Sequence, residues 1–290
     1  QRVDTFYDKW TFTYQETDYT GRQSGQIASV TKETRKGAST ALLSSVGYQF
    51  TYDDNGNITQ IANASGVIQN KYYYDDLGQI IREDNRALRY SYTYSYDNTG
   101  NILSKKRYAF TTGTLTGSVR TTSWLYEDST WGDLLTEFSG YTIEYDEIGN
   151  PTKIGYYENG YWNEHYELIW QGRQLMSYVY SEEGGADVQF SYNADGIRTS
   201  KTVNGVEHRY YLDGSQITAE MWTQNNVEYL LYYLYDENGA PIGLQYRTSN
   251  YASGVFDFFF FDKNLQGDVI GIYASDGYKI CTYTYDAWGV

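Results

Sequence analysis

Aromatic and polar side chains alternate along much of the chain with a period of two residues. The stretch Tyr90–Tyr96 reads Tyr-Ser-Tyr-Thr-Tyr-Ser-Tyr, and Cys281–Tyr285 reads Cys-Thr-Tyr-Thr-Tyr. A period of two places every second side chain on the same face of a β-strand. The first stretch therefore predicts a strand with four tyrosines on one face and small polar residues on the other. No segment longer than about ten residues has a convincing helical period.

One short motif recurs between the alternating stretches: Tyr, then Asp or Asn, two variable residues, Gly, and usually a small polar or aliphatic residue. Its copies begin at Tyr52, Tyr74, Tyr96, Tyr145, Tyr192, Tyr235 and Tyr285. The aspartates of the first three copies, Asp53, Asp75 and Asp97, follow one another at intervals of 22 residues. The next, Asp146, comes 49 residues later. That gap leaves room for a degenerate copy, and Trp131–Leu135 marks a turn inside it.

The chemistry of the motif is that of a tight turn. Asp or Asn accepts a hydrogen bond from a backbone N–H two residues further on, and Gly supplies a positive φ. A type I turn followed by a left-handed Gly is a common hairpin connection. About 22 residues hold roughly two strands of eight and two short turns, so each repeat is predicted to be a β-hairpin and the chain to hold about twenty strands. The residues predicted to build these turns, with a structural and not a catalytic role, are Tyr52, Asp53, Gly56, Tyr74, Asp75, Gly78, Tyr96, Asp97, Gly100, Tyr145, Asp146, Gly149, Tyr235, Asp236, Gly239, Tyr285, Asp286 and Gly289.

Composition supports paired strands and limits the partners. The 290 residues include 35 Tyr, 11 Phe, 7 Trp and 28 Gly but only 2 Pro, as expected for sheets joined by glycine turns. The net charge of −15 repels a phosphate backbone, so no nucleic-acid partner is predicted. The longest apolar runs, Tyr229–Tyr235 and Phe256–Phe261, fall short of the roughly 20 residues of a membrane-spanning helix. No membrane span is predicted.

Residues able to carry out chemistry are few. The single cysteine, Cys281, cannot form an intrachain disulfide, and His165 and His208 are too few and too far apart for a usual zinc site. Asp53–Asn57 resembles a fragment of a calcium loop, but the bidentate Glu and flanking helices of an EF-hand are missing. Calcium binding at such turns stays open beside plain turn chemistry. No nucleotide-binding or nucleophile motif is present, so the sequence predicts no catalytic, cofactor-binding or metal-binding residues, and no enzyme.

The motif and its spacing resemble the YD repeat of Rhs proteins. The C-terminal region, with Phe261–Ile270, Asp276–Gly277 and Tyr283–Gly289, looks like the Rhs-associated core signature that ends the repeat region. The resemblance covers residues 46–290, which we interpret as one continuous repeat region. Residues 1–45 match only weakly and are predicted to be flanking strands.

The resemblance implies a fold and an architecture. Rhs proteins are similar to polymorphic toxins, to the cocoon of insecticidal toxin complexes and to the teneurin barrel. A member would be all-β, with hairpins forming one long curved or spiralling antiparallel sheet, part of a hollow shell or barrel. In the toxin members the core ends in a self-cleaving, aspartyl-protease-like segment with Asp-Pro-x-Gly motifs. This sequence has no Asp-Pro pair, so we expect a piece of a longer protein that stops before the self-cleavage and toxin segments.

The predicted function follows from the resemblance. The chain would be a structural shell fragment of a secreted or bacterial cell-surface Rhs-type toxin, and would enclose the toxin domain and help to deliver it. Its partner would be the C-terminal toxin domain of the same polypeptide, and no cofactor is implied. The alternative is a cell-surface adhesin or carbohydrate-binding module that binds surface glycans through exposed Tyr and Trp, whose rings join an apolar body to a polar tip. The sequence leaves open which face each tyrosine occupies.

Overall fold

The chain folds into β-strands throughout the part that the structure, a computed structural model, describes: residues 6–16, 23–36, 41–182 and 184–290. These residues form 23 strands and no α-helix, which confirms the predicted all-β fold. The first nine strands are β1 Phe6–Glu16, β2 Gln23–Lys36, β3 Ala41–Tyr52, β4 Ile58–Asn63, β5 Ile68–Tyr74, β6 Ile80–Asn85, β7 Tyr90–Tyr96, β8 Ile102–Ala109 and β9 Arg120–Leu125. The others are β10 Glu137–Phe138, β11 Tyr141–Tyr145, β12 Pro151–Glu158, β13 Tyr161–Gln171, β14 Gln174–Tyr180, β15 Asp187–Tyr192, β16 Arg198–Val203, β17 Val206–Asp213, β18 Gln216–Gln224, β19 Val227–Tyr235, β20 Pro241–Thr248, β21 Asp257–Lys263, β22 Val269–Ala274 and β23 Lys279–Thr282.

The topology is a simple succession of hairpins. Each described strand pairs antiparallel with the next one along the chain. The predicted flanking region, residues 1–45, contains β1, β2 and the start of β3, while its residues 1–5, 17–22 and 37–40 lie outside the described part. None of the described residues forms a helix long and apolar enough to cross a membrane.

The repeat tyrosines mark a regular interruption of the ladder. The strand register shifts directly before Tyr52, Tyr74 and Tyr96 in the first three copies. The same shift precedes Tyr145, Tyr192 and Tyr235. A β-bulge of this kind increases the local twist and re-aims the side chain beside it. Each of these six motifs therefore fixes both a turn and the direction of its tyrosine.

The described residues divide into two compact units. The first unit contains residues 1–123 together with 283–290, and the second contains residues 124–282. The last eight residues thus belong with strands near the beginning of the chain. Within the first unit, Tyr92 and Tyr94 lie on one face of β7 with their ring centres 6.5 Å apart, as the alternation predicts.

Both faces of β7 carry buried side chains, while Ser95 near its end is exposed. Tyr92 and Tyr94 are 7% and 6% exposed, and Ser91 on the opposite face is fully buried. The Ser91 hydroxyl donates to the carbonyl of Thr111 at 2.9 Å, in the segment that follows β8. The small polar face of this strand therefore also packs against other residues at Ser91.

Candidate functional site

The predicted turn residues build one recurring hydrogen-bonded structure, seen clearly at Asp53. One carboxylate oxygen of Asp53 accepts from the backbone N–H groups of Asn55 at 3.0 Å and Asn57 at 2.8 Å. The other oxygen accepts from the side-chain amide of Asn57 at 3.0 Å. Gly56, with a φ of 87°, donates its N–H to the carbonyl of Asp53 at 3.0 Å. The turn is thus closed by side chain and backbone together.

In the other copies, too, one side-chain oxygen accepts from the backbone N–H groups two and four residues later. These acceptors belong to Asp75, Asp97, Asp146, Asn193, Asp236 and Asp286. The glycines of all seven copies have φ between 77° and 92°. Each turn sits at its own hairpin end, so the structure does not bring the predicted turn residues together into one reaction centre.

Hydrogen bonds also set the charge of these turns. The side-chain amide of Asn57 lowers the pKa of Asp53, and the Thr99 hydroxyl lowers the pKa of Asp97. These carboxylates are therefore anionic at neutral pH, and N–H or O–H donors already occupy their oxygens. In the part of the chain that the structure describes, no group of three or more His, Cys, Asp or Glu side chains is placed to hold a metal ion.

The hydroxyls of six repeat tyrosines donate to backbone carbonyls of preceding segments, most of them beside the preceding turn, a role that sequence reasoning missed. Tyr74 donates to the carbonyl of Ile58 at 2.7 Å, and Tyr96 donates to that of Ile80 at 2.7 Å. Both acceptors are the first strand residue after the previous turn. Matching bonds join Tyr52 to Ile27, Tyr145 to Leu135, Tyr192 to Leu175 and Tyr235 to Ile217. Every copy of the motif carries Tyr and never Phe, which was the available signal for a hydroxyl.

Burial keeps these hydroxyls protonated. It raises the pKa of Tyr96 to about 12 and raises the pKa of Tyr74 in the same direction. A turn without the motif uses another donor, since the indole N–H of Trp170 donates to the carbonyl of Pro151 at 2.7 Å. The hydrogen-bond link between neighbouring turns thus does not require tyrosine itself.

A buried polar cluster lies in the first unit, where the last repeat turn packs against strands β6 to β8. We call Tyr285–Val290 the terminal turn, and we call Glu83, Asn85, Tyr94 and Lys105 the docking face. Glu83 has no exposed surface. One of its oxygens accepts from Asn85 at 2.9 Å, and the other accepts from the N–H of Ala287 at 2.9 Å and the hydroxyl of Tyr94 at 3.3 Å.

The rest of the docking face also holds the terminal turn. The Asn85 amide donates to the carbonyl of Tyr285 at 3.0 Å. Lys105 forms an ion pair with Asp286, whose side chain is 2% exposed. Lys105 also lies over the rings of Tyr92 and Tyr94, at 4.4 and 5.8 Å from their centres. Sequence reasoning placed Asp286 in a turn but did not foresee this contact with residues about 200 positions away.

Burying the carboxylates of this cluster costs free energy unless each one has a hydrogen-bond or ion-pair partner. Burial raises the pKa of Glu83, and the nearby Asp286 carboxylate adds to that effect. On the other face of β6, Asp84 pairs with Arg82 at 2.8 Å. Arg82 also donates to the carbonyls of Thr111 and Gly113 at 2.9 and 2.8 Å. Buried charges of this kind need partners, and here both faces of β6 supply them.

The second unit contains an open cavity of about 400 Å³ beside the turn at Asp146. It is lined in part by Asp128, Trp131, Tyr145 and Glu147. The predicted turn at Trp131 is present, with the N–H of Leu134 donating to the Trp131 carbonyl at 2.7 Å. The Trp131 ring covers Gly149 so closely that an added Cβ would lie 2.5 Å from it.

The histidines and the cysteine do not converge. His208 on β17 lies with Nδ1 2.7 Å from a carboxylate oxygen of Glu220 and stacks on Trp222 at 4.9 Å between ring centres. His165 is on β13, and Cys281 is half-buried on β23. These residues pack within the sheet at separate strands.

Comparison with known proteins finds relatives of part of the chain. No description of a known protein family matches it. The chain is 30% identical over 158 residues to a tRNA3(Ser)-specific nuclease WapA of Bacillus spizizenii, covering 53% of this chain and 6% of that protein. It is 29% identical, with the same coverage, to the tRNA nuclease WapA of Bacillus subtilis strain 168.

Solved structures match nearly the whole chain. A crystal structure of TcdB2-TccC3 without its hypervariable C-terminal region matches 97% of this chain with a TM-score of 0.52 and 14% identity. The chain shares its fold. The Photorhabdus luminescens Tc holotoxin pore matches 97% with a TM-score of 0.53 and 15% identity. The long antiparallel sheet predicted from the sequence is confirmed by this likeness.

The matches are to much larger proteins. The chain spans 6% of the length of the curated WapA relatives and 14% of the TcdB2-TccC3 chain. The matches to WapA nucleases and to TcdB2-TccC3 are consistent, at this coarse level, with the resemblance to Rhs toxins.

Proposed function

We propose that the chain is a section of the wall of a Rhs-type, YD-repeat toxin shell. The wall would enclose a toxin domain that follows in the same polypeptide, and the whole protein would be secreted or carried on the bacterial surface. The observation that carries this proposal is the likeness of 97% of the chain to TcdB2-TccC3. The partial sequence similarity to WapA nucleases supports it independently.

The hydrogen bonding of the repeat-turn side chains supports a structural role in a shell wall better than a catalytic role. The carboxylates of the repeat turns accept hydrogen bonds from their own turn, as Asp53 does from Asn55 and Asn57. The tyrosine hydroxyls are engaged in linking one turn to the next, as Tyr96 is with Ile80. Side chains occupied in this way stabilise a repeating sheet and leave little for a reaction. In this proposal the chain itself is not an enzyme.

Protection of the downstream domain tests the proposal. The full-length protein, with its native residues after Val290, would be treated with protease before and after mild denaturation. If the wall encloses that domain, it resists digestion until the sheet is opened, even where it is already cut from the wall. The same domain expressed alone is the control and should be digested at once. Immediate digestion in the full-length protein would reject encapsulation.

Glycan binding is the second candidate, and one observation favours it. The cavity beside Trp131 joins an exposed indole to the carboxylates of Asp128 and Glu147, and aromatic faces beside polar groups suit sugar rings. A glycan array would give a signal that Trp131→Ala removes and Tyr161→Ala, a change at a tyrosine 74% exposed elsewhere on the second unit, preserves. A silent array would reject this candidate.

A further inference from the structure

The terminal turn differs from the turns at Asp53 and Asp97 in the partner of its second aspartate oxygen. In the turns at Asp53 and Asp97, the second carboxylate oxygen accepts from an asparagine four residues later, at 3.0 and 2.9 Å. The corresponding residue of the terminal turn is Val290, which has no side-chain donor. Lys105 of β8 supplies the missing partner to Asp286 instead.

Side chains of the docking face also form hydrogen bonds with the backbone of the terminal turn. Glu83 accepts from the N–H of Ala287 at 2.9 Å, and Asn85 donates to the carbonyl of Tyr285 at 3.0 Å. The turn at Asp97 makes a useful contrast, because Asn98, the residue equivalent to Ala287, is exposed. Three side chains on β6 and β8 therefore each hold a different group of the terminal turn.

Trp288, at the second variable position of the motif, makes an aromatic contact with the docking face. The Trp288 ring lies edge-on to Tyr94, with their centres 6.0 Å apart and their planes at 66°. Trp288 is otherwise 49% exposed. The equivalent residue at Asp97 is Thr99, whose hydroxyl donates to the aspartate of its own turn at 2.7 Å. An edge-to-face arrangement is a favoured geometry for aromatic pairs. The contact therefore favours Trp over the residues that other copies carry there.

The docking face is incomplete without its occupant. Glu83 is fully buried, and the terminal turn provides one of its hydrogen-bond donors. Lys105 is drawn toward Asp286, which is only 7% exposed. Removing the turn would leave a buried carboxylate short of a donor and a lysine without its ion pair, which is costly in a poorly solvated site.

We propose that the docking face is a recognition site for a Tyr-Asp-Ala-Trp-Gly turn. It binds the terminal turn by side-chain contacts and discriminates it from the other six copies, so that the turn behaves as a separable ligand of the first unit. This inference goes beyond the shell role and stands without it.

Hydrogen exchange of single variants provides the first test. Lys105→Met removes the charge that pairs with Asp286, so we expect exchange at the Ala287 amide to become at least tenfold faster. Lys106→Met is the matched control, because Lys106 is the next residue of β8 and is exposed; it should leave that rate unchanged. Equal exchange rates in the Lys105 and Lys106 variants would overturn the proposal.

A second variant separates recognition from general destabilisation. Asp84→Asn weakens the ion pair on the opposite face of β6, so any loosening should spread over the first unit instead of concentrating in residues 285–290. Asp286→Asn combined with Lys105→Met should be little worse than either change alone, because both remove the same contact. Additive effects of these two changes would show that Lys105 does not recognise Asp286.

Exchange of the turn in trans is the decisive test. A protease site would be inserted between Thr282 and Tyr283, both exposed, and the purified chain would be cut there. A synthetic peptide Tyr-Thr-Tyr-Asp-Ala-Trp-Gly-Val should then displace the bound segment, while the same peptide with Asn in place of Asp should compete at least tenfold more weakly. Equal competition by both peptides, or a segment that leaves on cutting without any peptide, would overturn the proposal.

Discussion

At the scale of single residues, the repeat tyrosines perform two tasks with one side chain. The ring packs on the sheet, and the hydroxyl donates to a carbonyl at the base of the preceding turn, as Tyr192 does to Leu175 at 2.8 Å. A phenylalanine would supply the ring and leave the carbonyl without its partner. Loss of such a hydrogen bond costs about 1 kcal/mol. Repeated along the sheet, these links tie each hairpin to its neighbour.

Tyr192→Phe tests the hydroxyl separately from the ring. We expect the free energy of unfolding of the chain to fall by about 1 kcal/mol, measured as a lower urea midpoint with an unchanged slope. Tyr161→Phe in the same unit is the control. Tyr161 is 74% exposed, so water can form hydrogen bonds with its hydroxyl. A midpoint equal to that of the control would show that the link does not stabilise the sheet.

Glu83 is a fully buried acid of the first unit. Burial raises its pKa from an ordinary value of 4.5, against the opposing effect of hydrogen bonds from Ala287 and Asn85. The charged groups around it are Asp286, which raises that pKa further, and Lys105, which pairs with Asp286. An acid with a raised folded-state pKa contributes stability below its unfolded pKa and loses that contribution as pH rises through the raised value.

The pH dependence of Glu83→Gln follows from that sign. The stability of the natural chain relative to this variant should be greatest near pH 4.5 and should decline as the pH rises toward 8, because the natural chain alone must bury a new charge. Urea unfolding at several pH values would measure it. Glu144→Gln on β11, where the side chain is exposed, should give a difference that is flat with pH. A flat profile for Glu83→Gln would contradict the assigned burial effect.

At the scale of the element, the hairpin turn depends on its glycine. Gly100 has a φ of 92°, a conformation that side chains with a branched Cβ adopt only with strain. A Cβ placed there would also lie 3.2 Å from the Gln79 side-chain nitrogen. The bulge before Tyr96 and the turn that follows it therefore tolerate little change at this position.

Gly100→Val should destabilise the first unit by about 1–3 kcal/mol through backbone strain. The measurement is the urea midpoint, with hydrogen exchange in β7 and β8 to locate the loss. Gly25→Val is the control, because no atom lies within 4 Å of an added Cβ there and its φ is not positive. Equal midpoints for the two variants would count against the turn assignment.

The local sequence pattern was sufficient to predict most strands and turns, because strand alternation and an Asp-x-x-Gly turn each depend on only a few consecutive residues. The alternation at Tyr90–Tyr96 and the turn at Asp97 are examples. What could not be predicted depends on contacts distant in sequence. Glu83 is buried against a turn about 200 residues later in the chain. The residues near Glu83 in sequence do not indicate this contact. The donor role of Trp170 likewise depends on where Pro151 falls in the neighbouring strand.

At the scale of the whole molecule, net charge is the property that can be counted directly from the sequence. The chain carries 37 acidic against 22 basic side chains, a net charge of −15. Such a surplus destabilises a compact state by self-repulsion. In the first unit the buried Lys32 pairs with Asp8 at 3.0 Å, and the partly buried Lys105 and Arg82 are also paired with carboxylates. Screening by salt weakens exposed interactions more than these partly buried pairs.

Salt should therefore stabilise this chain. Raising sodium chloride from about 20 to about 300 mM shortens the Debye length from roughly 20 Å to below 10 Å, so the long-range repulsion among the surplus carboxylates is reduced while close pairs such as Lys105 with Asp286 persist. We expect a higher thermal unfolding midpoint at the higher salt concentration. Choline chloride at the same ionic strength is the control for specific sodium binding and should act equally. A midpoint that falls with salt would mean that exposed ion pairs contribute more to stability than the net charge costs, and the stabilising contacts would then have to be sought on the surface instead of in the buried cluster.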